Sequence, residues 1–369
     1  MKTTLPVLDL AGSPTERGLA HGRAMKDAIH DFLAGITAVH QANNSLLNVN
    51  RERLARFCMR NLGYLEKTSP DLCAEMRAIA EGAELTFEDI LYLNSFLELE
   101  DLRAPQLGGR MLPDGPWGCT TFNVTAAAGA GGRAYLGQTF DMEKYYERFL
   151  CILRIRPEKE PDQIIVSMAG VLGLAGLNNR GIGLVINKLV ATDARPGIIY
   201  PFIVRKVLSA ERIGDALGSV IFTRRATGMN YQISGEGAAF CAETSAERYE
   251  LLDIKGSLAH TNHWLGATTR VFETPGWLSH GGSMVRRLTA QTFLDEREGN
   301  VTMDHLKEMT RNHVNHPRCI CAHGFPGEDE TTAFHTIFAV IMEPAAGRLE
   351  ICPGNPCVGA YDVCTFDGA

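Results

Sequence analysis

One break in texture constrains this chain more than any other feature. Residues 104–118 read APQLGGRMLPDGPWG, with three prolines and four glycines. No regular helix or strand interior accommodates that composition, because proline removes a backbone donor and glycine gives up conformational order. Before the break, residues 15–100 place apolar side chains at three- and four-residue spacing, which predicts helices. Thr86 followed by Phe87, Glu88 and Asp89 predicts an N-cap with acidic residues in the first turn. After the break the chain turns β-rich. CTTFNVTA, RAYLGQTF, FLCILRIR, QIIVSMAG and GIGLVIN are short β-branched or apolar runs with glycine-rich connections. Helices are predicted again near 200–218, 283–296 and 302–313, with strands over 229–253 and in AFHTIFAVIME and RLEICPG. A helical third, a loop and a mixed remainder suit two packed sheets flanked by helices, an α+β architecture.

With 369 residues, 45% of them hydrophobic, the chain can bury a substantial core. Its net charge of −7, without long runs of one sign, offers nothing to nucleic acid by bulk electrostatics. The opening MKTTLPVLDLAGSP lacks the apolar centre of a signal peptide, and no apolar run reaches the roughly 18 residues of a membrane span. A cytoplasmic protein without membrane partners is therefore expected. Ten scattered cysteines with no CxxC pair are expected to be reduced, packed thiols. Cys319 and Cys321 have the wrong spacing for a zinc knuckle, so neither a metal nor a cofactor is expected.

Cys119 stands where the loop ends and the first β-like run begins, directly after Gly118. If the Gly118–Cys119 bond breaks, one residue carries both a thiol and a free α-amine. An α-amine titrates at about 7.7–8 and can serve as general base for its own thiol. A glycine before the cysteine tolerates the geometry of attack on the preceding carbonyl. Taken alone, Gly-Cys-Thr-Thr equally describes a buried cysteine opening a strand.

Ordered motifs on both sides sharpen this reading. They are Gly12-Ser13-Pro14 with Gly18 and His21-Gly22; Ile79-Ala80-Glu81-Gly82; Asp89-Ile90-Leu91 with Asn94; and Gly118-Cys119-Thr120-Thr121. Further along come Gly137-Gln138-Thr139-Phe140-Asp141, His260-Thr261-Asn262-His263, Ser283 with Arg286, and a C-terminal block from Thr331-Thr332 through Ile341-Met342-Glu343 to Pro353-Gly354-Asn355-Pro356. In these the chain resembles the acyl-coenzyme A:6-aminopenicillanate acyltransferase family of self-cleaving N-terminal nucleophile hydrolases. That family is related to penicillin V acylases and bile salt hydrolases.

The resemblance implies a four-layer αββα sandwich and cleavage into residues 1–118, a helical segment, and 119–369, the catalytic segment. The two would remain one folded α/β heterodimer. It implies Cys119 as nucleophile, Asp141 holding the free amine, and Asn262 donating to the oxyanion. Asn187 would give a second oxyanion donor or bind the amine, and Arg286 would brace the site. Gln138 stands where bile salt hydrolases carry arginine, so their substrate preference does not transfer. Each residue also has a purely structural reading: a turn cap for Asp141, turn residues for Asn262 and Asn187, a solvated helix face for Arg286. His260 and His263 are expected to position or pack, and His323 and His335 to be structural.

The function implied is a cysteine amidohydrolase acting on a linear N-acyl amine or N-acyl amino acid through a Cys119 thioester. The alternative is an N-acyltransferase using acyl-CoA, since water and an amine compete for the same thioester. A non-catalytic scaffold of the same fold is the third reading.

Overall fold

The structure, a computed structural model, describes residues 3–43, 50–103, 118–274, 281–329 and 333–366. The glycine- and proline-rich stretch up to residue 117, and the Thr331-Thr332 motif, lie outside these.

Ten α-helices occur among the described residues. The first six are α1 (Pro14–Ala24), α2 (Lys26–Asn43), α3 (Arg51–Cys58), α4 (Leu62–Thr68), α5 (Pro70–Ala83) and α6 (Phe87–Asn94). After them come α7 (Tyr200–Leu208), α8 (Ile213–Ile221), α9 (Gly281–Asp295) and α10 (Met303–Thr310). None is long and apolar enough to cross a membrane.

Strands β1 (Val7–Gly12), β2 (Gly118–Val124), β3 (Tyr135–Glu143), β4 (Leu150–Pro157), β5 (Gln163–Met168), β6 (Ala175–Asn178) and β7 (Gly183–Lys188) are followed by seven more. These are β8 (Met229–Gly235), β9 (Ala238–Thr244), β10 (Tyr249–Leu252), β11 (Ser257–His260), β12 (Phe334–Glu343), β13 (Arg348–Pro353) and β14 (Asp362–Thr365). They form an eight-stranded sheet, β1-β4-β5-β6-β7-β8-β9-β10, and a six-stranded sheet, β11-β2-β3-β12-β13-β14.

The sheets face each other, with β2 and β3 against β7 and β8. Helices α9 and α10 cover the outer face of the six-stranded sheet, and α7 and α8 cover the eight-stranded one. The result is the four-layer αββα sandwich. Because β2, β3 and β7 are covered on both faces, every residue in them is buried. Alternation still sorts their side chains by face. On β2, Thr121 and Asn123 reach partners on the opposite sheet, while Phe122 and Val124 join the cluster under α9 that holds Ala290 and Leu294.

The N-terminal third is not wholly helical. Val7–Gly12 pairs in parallel with β4, from Val7 opposite Ile152 to Gly12 opposite Pro157. Its short VLDL alternation satisfies an exposed sheet edge, a tertiary demand that helical periodicity downstream does not reveal.

Several of the motif residues hold this third together. Ser13 and Glu16 form a capping box that starts α1, as Thr86 and Asp89 do for α6. Helices α1 and α5 cross at near backbone contact. A Cβ on Gly18 would lie 2.2 Å from the Glu75 carbonyl oxygen, and one on Gly22 would lie 2.3 Å from that of Ile79. The Asn94 amide donates to the Ile90 and Gly170 carbonyls and its oxygen accepts from Leu172 N–H, bracketing the turn after β5. His21 Nε2 accepts from Gly170 N–H at 3.0 Å, and burial lowers its pKa to about 4, so the ring is neutral.

At this crossing Glu75 is buried between two arginines. Its carboxylate receives Arg17 at 2.8 Å and Arg205 at 2.6 Å, tying α1, α5 and α7. Burial by itself would raise the Glu75 pKa, but the Arg205 and Arg17 guanidiniums outweigh it and hold it below the ordinary value. Glu75→Gln removes the charge and leaves two buried cations without a counterion. A loss of about 3–5 kcal/mol is expected in urea unfolding. A loss under about 1 kcal/mol would mean that the triad contributes no more than a surface pair.

Candidate active site

Cys119 is the second residue of β2, at the middle of the sandwich. Gly118 pairs with Asp141 and Cys119 with Phe140 across β2 and β3. Its backbone is gripped on both sides. The Cys119 N–H donates to Asn262 Oδ1 at 2.8 Å. The Cys119 carbonyl accepts from Asn187 Nδ2 at 3.1 Å and from Arg286 Nη1 at 2.9 Å. Side chains from β7, the segment after β11 and α9 thus converge on the backbone of one residue of β2, Asn262 on the peptide before Cys119 and Asn187 and Arg286 on the peptide after it.

The neighbours set the orientation of both asparagines. Asn262 Oδ1 also accepts from Arg286 Nη2 at 3.1 Å, and Asn262 Nδ2 donates to the Lys188 carbonyl at 3.1 Å. Arginine can only donate and a carbonyl can only accept, so the amide is locked. Asn187 Oδ1 accepts from Thr121 Oγ1 at 2.6 Å and from Asn230 Nδ2 at 3.0 Å, which turns Nδ2 toward Cys119. Gln138 bridges the two sheets, donating to the Ile186 carbonyl at 2.8 Å and accepting Ile186 N–H at 3.2 Å.

Asp141 Oδ1 accepts from Thr336 Oγ1 at 2.7 Å, while Oδ2 is buried without a hydrogen-bond partner. That oxygen faces Gly118: a Cβ there would lie 2.7 Å from Oδ2 and 3.4 Å from Arg286 Cζ. A side chain at 118 would therefore displace the Asp141 carboxylate, although the Gly118 backbone itself is not left-handed.

Burial raises the Asp141 pKa to about 7, opposed by the Arg286 charge and the Thr336 hydrogen bond. Burial also pushes the Cys119 thiol up to about 12, and the Asp141 charge adds to this. A backbone hydrogen bond from Asp141, the Arg286 charge and Gln138 pull the other way. In the uncut chain the sulfur is a thiol at neutral pH, beside a carboxyl that can exchange a proton there.

The five side chains singled out from sequence, those of Cys119, Asp141, Asn187, Asn262 and Arg286, all meet at this point. Others were not foreseen. Lys188 forms a buried ion pair with Asp101 at 2.9 Å and also donates to Thr227, so the short 3-10 helix Glu98–Arg103 is pinned beside Asn187. Thr336 aims Asp141. Glu243, fully buried, binds His260 Nε2 at 2.6 Å and accepts from Leu265 N–H, Gly266 N–H and Thr269. It shapes the segment that carries Asn262. Glu243 belongs to no motif in the sequence, and only the packing of β9 in one sheet against β11 in the other brings it to His260.

His260 and His263 do position and pack. The His260 ring pairs with Glu243, and His263 Nδ1 meets Ser283 Oγ at 2.8 Å, with burial lowering the His263 pKa to about 3. Elsewhere the fold bears on the expectation that no metal is bound, because it brings together side chains that could hold one. That expectation considered Cys319 with Cys321, whereas the folded chain gathers Cys321 with His313, His323 and Cys357.

Strand order, the two facing sheets and a cysteine opening a central strand define the class of this protein. The sequence profile of the family described as acyl-coenzyme A:6-aminopenicillanic acid acyl-transferase matches residues 128–357, and the chain belongs to that family. The match begins downstream of Cys119. The chain is also 24% identical over 355 residues to the acyl-coenzyme A:6-aminopenicillanic-acid-acyltransferase 40 kDa form of Emericella nidulans, covering 94% of this chain and 92% of that one. Among solved structures, a mutant conjugated bile acid hydrolase from Clostridium perfringens aligns with TM-score 0.43 at 11% identity, over 67% of this chain and 97% of that one. Penicillin V acylase from Agrobacterium tumefaciens aligns with TM-score 0.39 at 11% identity, over 66% and 84%.

Proposed function

We propose that this chain cleaves itself between Gly118 and Cys119 and then acts as a cysteine amidohydrolase on linear N-acyl amines or N-acyl amino acids. The observation that carries the proposal is the grip on the Cys119 backbone, by Asn262 at its N–H and by Asn187 and Arg286 at its carbonyl, with Asp141 opposite Gly118.

In the first step the Cys119 thiol gives its proton to a base, for which Asp141 has a suitable pKa of about 7. The sulfur adds to the Gly118 carbonyl carbon. The C–N bond then breaks, the nitrogen takes a proton, and Gly118 is left as a thioester on Cys119. Water hydrolyses that ester, giving a Gly118 carboxylate, a free thiol and a free α-amine. The amine is the base for later turnovers.

Asn262 Oδ1, already accepting the Cys119 N–H, would hold that amine. Its Nδ2 donates one N–H to the Lys188 carbonyl, and the second N–H of that amide is the one proposed to donate to the oxyanion. Asn187 and Arg286 hold the carbonyl side and keep the nucleophile in register. Residues 1–118 and 119–369 would stay together as one heterodimer, because β1 is part of the eight-stranded sheet and Asp101 pairs with Lys188 inside the sandwich.

A second outcome shares all of these groups. An amine that reaches the thioester before water makes the enzyme an acyltransferase, and the acyl-CoA activity in the name of the Emericella relative supports testing acyl-CoA as donor. Mass spectrometry of the purified protein is expected to give fragments 1–118 and 119–369 with cysteine at the new terminus. Product analysis with N-acyl amines, and with acyl-CoA plus an amine, separates the two outcomes. A single uncut chain that turns over substrate would sink the mechanism.

A further inference from the structure

On the far side of Thr336 from Asp141, four side chains converge whose chemistry the proposed reaction does not use. His313 follows α10, Cys321 and His323 lie in the segment before β12, and Cys357 follows β13. Their ligand atoms all lie within 4.8 Å of one another. His323 Nε2 is 3.0 Å from His313 Nε2, 3.6 Å from Cys321 Sγ and 3.6 Å from Cys357 Sγ.

Hydrogen bonding does not account for this geometry. One imidazole nitrogen is either a single donor or a single acceptor, so it serves one of those three neighbours and leaves the others facing it. A cation at the centre serves all four. Zinc binds thiolate at about 2.3 Å and imidazole at about 2.0–2.1 Å, which sets neighbouring ligand atoms in a tetrahedron about 3.3–3.8 Å apart. The three separations from His323 Nε2 lie within a few tenths of an ångström of that range, and the four ligand atoms together span no more than 4.8 Å, so a bound ion has only to draw the outer ones inward.

The surroundings are those of a prepared site. Asn355 Nδ2 donates to Cys321 Sγ at 3.5 Å and to the Ala322 carbonyl at 2.7 Å, so it both stabilises a thiolate and fixes the ligand loop. Cys321 N–H donates to the Asn312 carbonyl at 3.1 Å and His323 N–H to that of Pro317 at 3.0 Å. Cys321 is buried while His313 is exposed, which gives an ion a way in.

We infer that His313, Cys321, His323 and Cys357 bind a divalent zinc-type cation in a closed Cys2His2 site. Two thiolates neutralise the ion, the thiol protons leave to solvent, and no oxidation or reduction is involved. With four protein ligands and no open position the site is structural. It clips the loop after α10 to the turn after β13. Ala322, between two ligands, also reaches the active site: its N–H donates to Thr336 Oγ1 at 2.9 Å, and Thr336 Oγ1 donates to Asp141. Thr336 N–H returns to the Ala322 carbonyl at 3.1 Å. The ion would thus be three residues from the carboxyl beside Gly118, holding it as a positioning device.

The test is metal analysis of the full chain, grown with zinc and purified under reductant without a metal-affinity step. About one zinc per chain is expected. Cobalt replacing it should give the intense visible bands of a tetrahedral ion with thiolate charge transfer. His313→Ala, at an exposed position, and Cys357→Ser should each abolish stoichiometric zinc. Asn355→Ala, which keeps every ligand, should weaken the affinity by about 10–100-fold. Chelation should lower Tm and added zinc restore it. A zinc-free folded protein that gives cobalt only the weak spectrum of an octahedral ion would overturn the site, as would a Cys321–Cys357 disulfide under reductant. Uncut Cys119→Ala protein should bind zinc like wild type, so failure of the processing reaction and failure of the metal site are read separately.

Discussion

Cys119→Ala is expected to leave the protein as one chain of 369 residues and to abolish turnover. Alanine keeps the backbone that Asn262, Asn187 and Arg286 grip, so the fold should survive with its Tm within a few degrees of the precursor. What it removes is the sulfur, and both reactions pass through the sulfur. Removing a covalent nucleophile costs on the order of 10⁴–10⁶ in kcat, because no remaining group can form the intermediate. Electrophoresis reads the cleavage and a substrate assay reads the turnover. A variant that is cut at 118–119 would move the scissile chemistry to another group. A variant that stays whole yet remains active would make Cys119 one of the packed thiols that its burial, taken alone, suggests.

Asp141→Asn carries the second large effect, and it acts in two directions. Cleavage should slow by about 10²–10⁴-fold, the usual worth of a positioned proton acceptor. The folded precursor should meanwhile become more stable at high pH. Asp141 has a folded-state pKa of about 7, against about 3.9 for an unperturbed aspartate. Between those values the folded chain holds a proton that the unfolded chain has released. Its contribution therefore falls as pH rises through that window and levels off above it. Asparagine has no such dependence, and its oxygen can still accept from Thr336. Compared in the uncut Cys119→Ala background, the double variant should gain on the order of 4 kcal/mol at pH 8 and little near pH 4. Urea unfolding at both pH values measures the difference. Equal stability of the two at every pH would mean that the buried oxygen facing Gly118 carries no penalty.

The order of elements was legible along the chain because periodicity and turn chemistry are local. Among the described residues, helices and then strands follow one another as the apolar spacing predicts, and Ser13 and Thr86 cap where their side chains can reach the next turn. Strand β1 was not legible, because nothing in VLDLAG says that a parallel neighbour waits at residues 152–157. Of the motif glycines, Gly18 and Gly22 are accounted for by a helix crossing and not by catalysis.

By itself the sequence determined that Cys119 follows a glycine after a loop, and that a carboxylate, two asparagines and an arginine recur with it in order. Only the tertiary structure decided which atoms of these residues meet. It turned the Asn262 oxygen to the Cys119 N–H and put the unpartnered Asp141 oxygen against Gly118. It also brought Cys321 to Cys357, and not to Cys319, as the partner of two histidines. The physical reason is common to all three. Side-chain type is written locally, but hydrogen-bond direction, burial and ligand distance are set by strands and loops far apart in sequence, packed in one register.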